Sequence, residues 1–93
     1  MEWRIKYHRD AKKFLEKLDK NRRRLILDRL EELKRYLQDG IIPIRRLDIK
    51  KLRGKWEGFL RIRVGEFRII VKIDPSTRII YVYHVHLRGE VYK

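Results

Sequence analysis

Cysteine is absent from the 93 residues. No disulfide framework and no thiol chemistry can therefore operate here. Small secreted domains usually need such staples, so a cytoplasmic setting is expected. Long apolar runs are missing as well: none approaches the roughly 18–20 residues of a membrane span, and the segment Met1-Glu2-Trp3-Arg4-Ile5-Lys6-Tyr7 holds no signal-peptide core. Proline occurs twice and glycine five times. No repeat, low-complexity tract or Pro/Gly/Ser linker divides the chain, so a single domain over 1–93 is expected. A Gly-rich phosphate loop, a nucleophile elbow and a paired-carboxylate motif beside a histidine are all lacking. With no cysteine and no third positioned histidine, neither a metal nor a cofactor is expected.

Negative charge is scarce: 26 Lys+Arg against 13 Asp+Glu leaves a formal charge of +13. Such a field repels itself and attracts polyanions, which makes nucleic acid the first partner to consider. A surface that is merely basic is the plain alternative. One Asn, one Gln and 42% charged residues are the composition of a thermophilic source. Apolar residues at 43% and aromatics at 11% suffice for a folded core.

Trp3, Ile5 and Tyr7 alternate with Arg4, Lys6 and His8, the period-two pattern of a half-buried strand. Asp10 then suits the cap of a helix that places Ala11, Phe14, Leu15 and Leu18 on one face. Asp19-Lys20-Asn21 interrupts it. A longer helix follows, with Ile26, Leu30, Leu33 and Leu37 spaced four, three and four, stopped by Gly40 and Pro43. The second half is β-branched and aromatic over Phe59–Val64, Phe67–Ile73 and Ile79–Leu87, separated by Gly65-Glu66 and by Asp74-Pro75-Ser76-Thr77. The order strand, helical hairpin, three-stranded antiparallel meander predicts an α+β fold with the hairpin on one face of one small sheet.

A two-residue turn at Gly65-Glu66, at the length of a type II′ turn, fixes the register. Val64 then faces Phe67, Arg63 faces Arg68, and Arg61 faces Ile70. Leu60, Ile62 and Val64 share the helix-covered face with Phe67, Ile69 and Val71, so Arg61, Arg63 and Arg68 emerge together on the other. Opposed like charges cost a sheet roughly 0.2–1 kcal/mol per pair. A bound polyanion relieves them, and forked guanidinium donors suit phosphate. The competing reading is a solvated basic face balanced by acids, although Glu57 and Glu66, the nearest in sequence, do not lie between the arginines. On the same register His84 and His86 fall on the helix-covered face and read as core or edge residues. Trp56 and Phe59 can equally stack on bases or pack at a rim. Tyr92 can move a proton or anchor the terminus.

These residues resemble a known family. Lys51-Leu52-Arg53-Gly54, then Leu60-Arg61-Ile62-Arg63-Val64-Gly65-Glu66-Phe67-Arg68-Ile69-Ile70, is similar to the K-L-x-G segment and "YRIRVGDYRVIY"-like hairpin of the RelE/ParE toxin superfamily. Arg88 and Tyr92 match its C-terminal arginine and tyrosine, and the chain looks most like the archaeal members. The resemblance implies a RelE-like toxin of a type II toxin–antitoxin pair. Such a toxin cleaves mRNA in the ribosomal A site without metal, the ribose 2′-hydroxyl being the nucleophile, and a RelB-like antitoxin neutralises it. Carried over by position, Arg61, Arg63, Arg68, Arg88 and Tyr92 would form the catalytic set. Lys51, Arg53 and Lys72 are expected as further RNA contacts on the strength of their charge. Because guanidinium stays protonated, the arginines would orient and neutralise the phosphate while Tyr92 moves protons. Some relatives carry a histidine immediately before the C-terminal arginine. Here that position is Leu87, with His86 one place earlier and on the opposite side, so that role is not carried over.

Two other functions fit the same composition. A ParE-like gyrase poison keeps the fold without the basic-plus-tyrosine set. A non-catalytic basic RNA-binding module needs only the charge.

Overall fold

The computed structural model describes residues 2–87, so the expectations for Arg88 and Tyr92 lie outside the described residues. Strand β1 (Arg4–Tyr7) leads into helices α1 (Arg9–Lys17) and α2 (Lys20–Gln38). Strands β2 (Ile49–Lys51), β3 (Leu60–Val64), β4 (Phe67–Asp74) and β5 (Ile79–Leu87) follow. They form one five-stranded sheet in the order β1-β5-β4-β3-β2. The α+β class holds, with two differences from expectation. The N-terminal strand runs parallel to β5 beyond an otherwise antiparallel sheet. Strand β2 extends the meander by pairing antiparallel with β3. Its three residues Ile-Lys-Lys are too short and too basic to show an alternation.

The helical hairpin is set by its caps. His8, not Asp10, caps α1: its Nδ1 accepts from the Asp10 N–H at 3.4 Å. Asp10 lies in the first turn, where its charge favours the helix dipole. Asp19 caps α2 by accepting from the Arg22 N–H at 3.1 Å. Between the helices Arg23 donates to three carbonyls at the α1 end. It donates from Nε to Leu15 at 2.9 Å and from Nη2 to Leu18 at 2.8 Å and Glu16 at 3.4 Å.

Ala11, Leu15, Ile26, Leu30, Leu33 and Leu37 of the helices pack on Ile62, Val64, Phe67, Ile69, Val71, Ile80, Val82 and Val85 of the sheet. This is the face assignment expected for β3 and β4. The other face carries no α-helix among the described residues; a 3-10 turn, Gly54–Trp56, sets the Trp56 ring against His84 there, and the candidate site is built on this face. After α2, Ile41, Ile42 and Ile44 are left 50%, 51% and 57% exposed. Glu32 ties this connection to α2, accepting from Arg46 Nε at 2.7 Å and from Arg29 Nη1 at 3.2 Å. No helix among the described residues is long and apolar enough to cross a membrane.

Candidate nucleic-acid interface

Gly65 sits at φ +56°, the left-handed conformation a two-residue hairpin demands at its first central position. The turn gives Val64↔Phe67, Arg63↔Arg68 and Arg61↔Ile70, the register expected from the sequence. Arg61, Arg63 and Arg68 therefore do share the face opposite the helices. Arg22 reaches Glu66 from α2 at 3.7 Å, which holds the turn against the hairpin.

The environment of the arginines corrects one expectation. An acid does lie between two of them: Asp48, placed just before β2. Its Oδ1 is 3.2 Å from Arg61 Nη2 and its Oδ2 is 3.8 Å from Arg63 Nη1. Asp48 adopts φ +50°, unusual for a side-chain-bearing residue and tolerated best by Asn and Asp. The Arg61 side chain is only 13% exposed, whereas Arg63 is 41% exposed. Arg68 differs again. Its Nε and that of Arg61 are buried without a hydrogen-bond partner among the described residues. Buried donors of this kind are costly unless something supplies an acceptor.

Beside Arg61 a basic hollow of about 950 Å³ is lined by Lys50, Lys51, Leu52, Arg53, Glu57 and Arg61. Two of the expected RNA contacts, Lys51 and Arg53, are thus brought together next to the arginines. Lys72 lies apart, further along β4, with its Nζ 5.6 Å from the centre of the Phe59 ring.

The histidines are a second correction. Arg68 pairs with His86 and Ile70 with His84, but Val71 pairs with Val82, so Tyr83 is an extra residue in β5. Such a bulge shifts the alternation by one position. Val82 and Val85 both enter the core, while His84 and His86 turn to the arginine face rather than the helix-covered one. His86 is thereby a neighbour of Arg68 in the site, a placement that strict alternation hid. The run Tyr-Val-Tyr-His-Val-His gave no glycine to announce the bulge. Around His84, rings gather: Trp56 at 5.4 Å, His86 at 5.5 Å and His8 at 6.2 Å between centres. Asp10 Oδ2 lies 4.0 Å from Nδ1 of both His8 and His84. Ile70, fully buried outside the main core, lies under this layer.

One phenol can be set aside. Burial, aided by the Glu31 charge, pushes the Tyr7 hydroxyl up to about 12, so it stays protonated near neutrality. Among the described residues no group of three or more His, Asp or Glu is arranged to hold a metal ion.

This geometry can be set beside known proteins. Residues 5–92 match the family model described as the ParE toxin of type II toxin–antitoxin systems, parDE. A protein of Methanocaldococcus jannaschii whose assigned name is toxin RelE1 is 30% identical over 93 residues, covering 100% of this chain and 98% of the relative. Among solved structures, the archaeal RelE–RelB complex from Pyrococcus horikoshii aligns with a TM-score of 0.77 at 26% identity, covering 98% of this chain and 100% of the other. The RelB–RelE antitoxin–toxin complex from Methanococcus jannaschii aligns with a TM-score of 0.66, also at 26% identity, over 87% of each chain. A family match over residues 5–92, together with a relative 30% identical over the whole chain, places the chain in the RelE/ParE superfamily of type II toxin–antitoxin toxins.

Proposed function

We propose that the protein is a ribosome-dependent mRNA endoribonuclease that cleaves mRNA in the A site and so halts translation in the cytoplasm. The observation that carries this reading is the convergence of Arg61, Arg63 and Arg68 on the open sheet face, with the Nε of Arg61 and Arg68 buried and without a hydrogen-bond partner among the described residues. Attack of a ribose 2′-hydroxyl on the adjacent phosphate breaks the bond to the 5′-oxygen and passes through a phosphorane that carries extra negative charge. Fixed guanidinium groups aimed at that charge stabilise it without having to reorganise. They cannot take the 2′-hydroxyl proton, because they remain protonated. Proton movement falls to Tyr92, assigned through the family resemblance, and to His86, which the bulge brings beside Arg68. Asp48 fills the anion position between Arg61 and Arg63 in the free protein and gives way to the scissile phosphate.

The partner in this reading is an acidic, RelB-like antitoxin. The +13 charge and the half-exposed Ile41, Ile42 and Ile44 support a segment that combines carboxylates with apolar side chains.

Gyrase poisoning is the second reading, and the ParE description of the matching family model favours it. The arginine set and the relatives bearing the RelE name favour the nuclease. Mapping mRNA 5′ ends on purified ribosomes, beside a DNA supercoiling assay, separates the two. New ends within the A-site codon with unimpaired supercoiling are expected. Intact mRNA with trapped gyrase–DNA complexes would replace the first reading by the second.

A further inference from the structure

The open face carries more than arginines. One residue row crosses the strands two positions beyond Ile70. Lys6 of β1 pairs with Tyr81 of β5, and Tyr81 pairs with Lys72 of β4. The ammonium of Lys72 then lies 5.6 Å from the centre of the Phe59 ring. Cation, ring, cation and ring thus alternate across the sheet. Tyr83, the bulge residue, joins the row to its neighbours: its ring lies 4.8 Å from Phe59, 5.6 Å from His8 and 6.4 Å from Tyr81. Beside them is a hollow of about 240 Å³ lined by Lys6, Tyr7, His8, Tyr81 and Tyr83. Both lysines are exposed, and the rings of Tyr81 and Tyr83 are only partly buried.

A core has no need of this pattern, since the main core lies on the other face. Half-exposed rings flanked by lysines suit a ligand that is flat and apolar at one end and anionic at the other. Nucleotides have that character: bases stack on aromatic rings while lysines take the phosphates. Four residues of strand, at 3.2–3.4 Å each, separate Arg68 from Lys72, so the row lies roughly 13 Å from the paired arginines. A flexible single strand can span that distance, whereas a duplex keeps its bases stacked on one another and unavailable.

We propose that the row of Lys6, Tyr81, Lys72 and Phe59, with Tyr83 and His8 beside it, is a base-stacking subsite. It would hold a single-stranded RNA segment that runs on from the phosphate at Arg61, Arg63 and Arg68. This deepens the nuclease reading and rests on RNA being the substrate. Stacking is tolerant of base identity, so the subsite adds affinity and direction rather than codon choice.

The test is binding of a fluorescently labelled oligouridylate and of a short RNA duplex, each across a salt series, to the parent, Tyr81→Leu, Tyr83→Leu, Tyr81→Phe and Arg63→Gln. Tyr81→Leu is expected to weaken oligouridylate binding about fivefold or more while leaving the salt slope and duplex binding unchanged. Tyr83→Leu should act in the same direction. Tyr81→Phe keeps the ring and should bind like the parent, and it guards against a folding defect in the leucine variants. Arg63→Gln should lower the salt slope by about one unit, since one phosphate contact is lost. Unchanged oligouridylate binding in both leucine variants would overturn the subsite while leaving the arginine site standing. An equal loss for single strand and duplex would overturn it too. So would loss of a copurifying protein partner from Tyr81→Leu with RNA binding intact, since the rings would then serve protein contact. Weakening by Tyr81→Leu with no effect of Arg63→Gln would instead uphold the subsite and remove the arginines from RNA binding.

Discussion

Asp48 is the residue on which the electrostatics of the site turn. It sits between Arg61 and Arg63 and offsets part of the repulsion that the opposed Arg63 and Arg68 impose. Asp48→Asn keeps the shape and tolerates the left-handed backbone, but it frees two guanidinium groups. The variant is expected to lose up to about 1 kcal/mol of stability, the range of a partly exposed ion pair. Its affinity for single-stranded RNA should rise several-fold and depend more steeply on salt. Thermal melts and RNA titrations across a salt series check both signs. A second residue-scale expectation concerns Glu32, whose carboxyl the hydrogen bond from Arg46 holds below the usual carboxylate range. A folded-state value below the unfolded one means the pair stabilises fully above the ordinary carboxylate range and loses this as pH falls through the folded value. Glu32→Gln should therefore melt lower than the parent at neutral pH, with the gap closing in acid. A gap that stayed constant with pH would remove this account of Glu32.

At the scale of elements, one side chain links the two helices of the hairpin. Arg23 ties α2 to three carbonyls at the end of α1 and so joins the two helices where the chain turns between them. Arg23→Met keeps the aliphatic stem and removes the donors, at an expected cost of about 1–3 kcal/mol. For a domain this size that is a fall of roughly 4–8 °C in melting temperature per kcal/mol. Which elements were readable from the sequence follows the same local logic. The arginine register was legible because a Gly-X pair admits one hairpin geometry, and with it came the shared face of Arg61, Arg63 and Arg68. Asp48 was not legible, because it reaches the arginines through β2, a strand of three residues with no pattern of its own. The bulge at Tyr83 was hidden as well, and one unannounced extra residue sufficed to send His84 and His86 to the wrong face. The start of α1 was missed by two positions, since histidine is a rarer cap than aspartate.

For the whole molecule the +13 charge is the dominant quantity. Its rows of cations lie on the sheet face the helices leave open, and that face is where RNA would lie. Free RNA should bind with a steep salt dependence and be cut poorly away from the ribosome, because nothing in free solution holds the 2′-hydroxyl in line with the phosphate it attacks. Efficient metal-dependent cleavage of naked RNA, lost on adding chelator, would contradict this. A copurifying antitoxin should be acidic overall, and a strongly basic one would remove the charge argument for the partner.

The central claim is that the arginine face performs the cleavage, and Arg63→Gln tests it most directly. Glutamine keeps length and a donor but removes one charge from a position that faces Arg68 and lies 3.8 Å from Asp48. Lost repulsion and lost pairing nearly offset one another, so the free protein should melt within about 1 kcal/mol of the parent. Cleavage of ribosome-bound mRNA, read by primer extension, should fall at least about tenfold, or roughly 1.4 kcal/mol of transition-state stabilisation. Unchanged melting with sharply reduced cleavage is the predicted result. Normal cleavage by a fully folded Arg63→Gln protein would contradict the account.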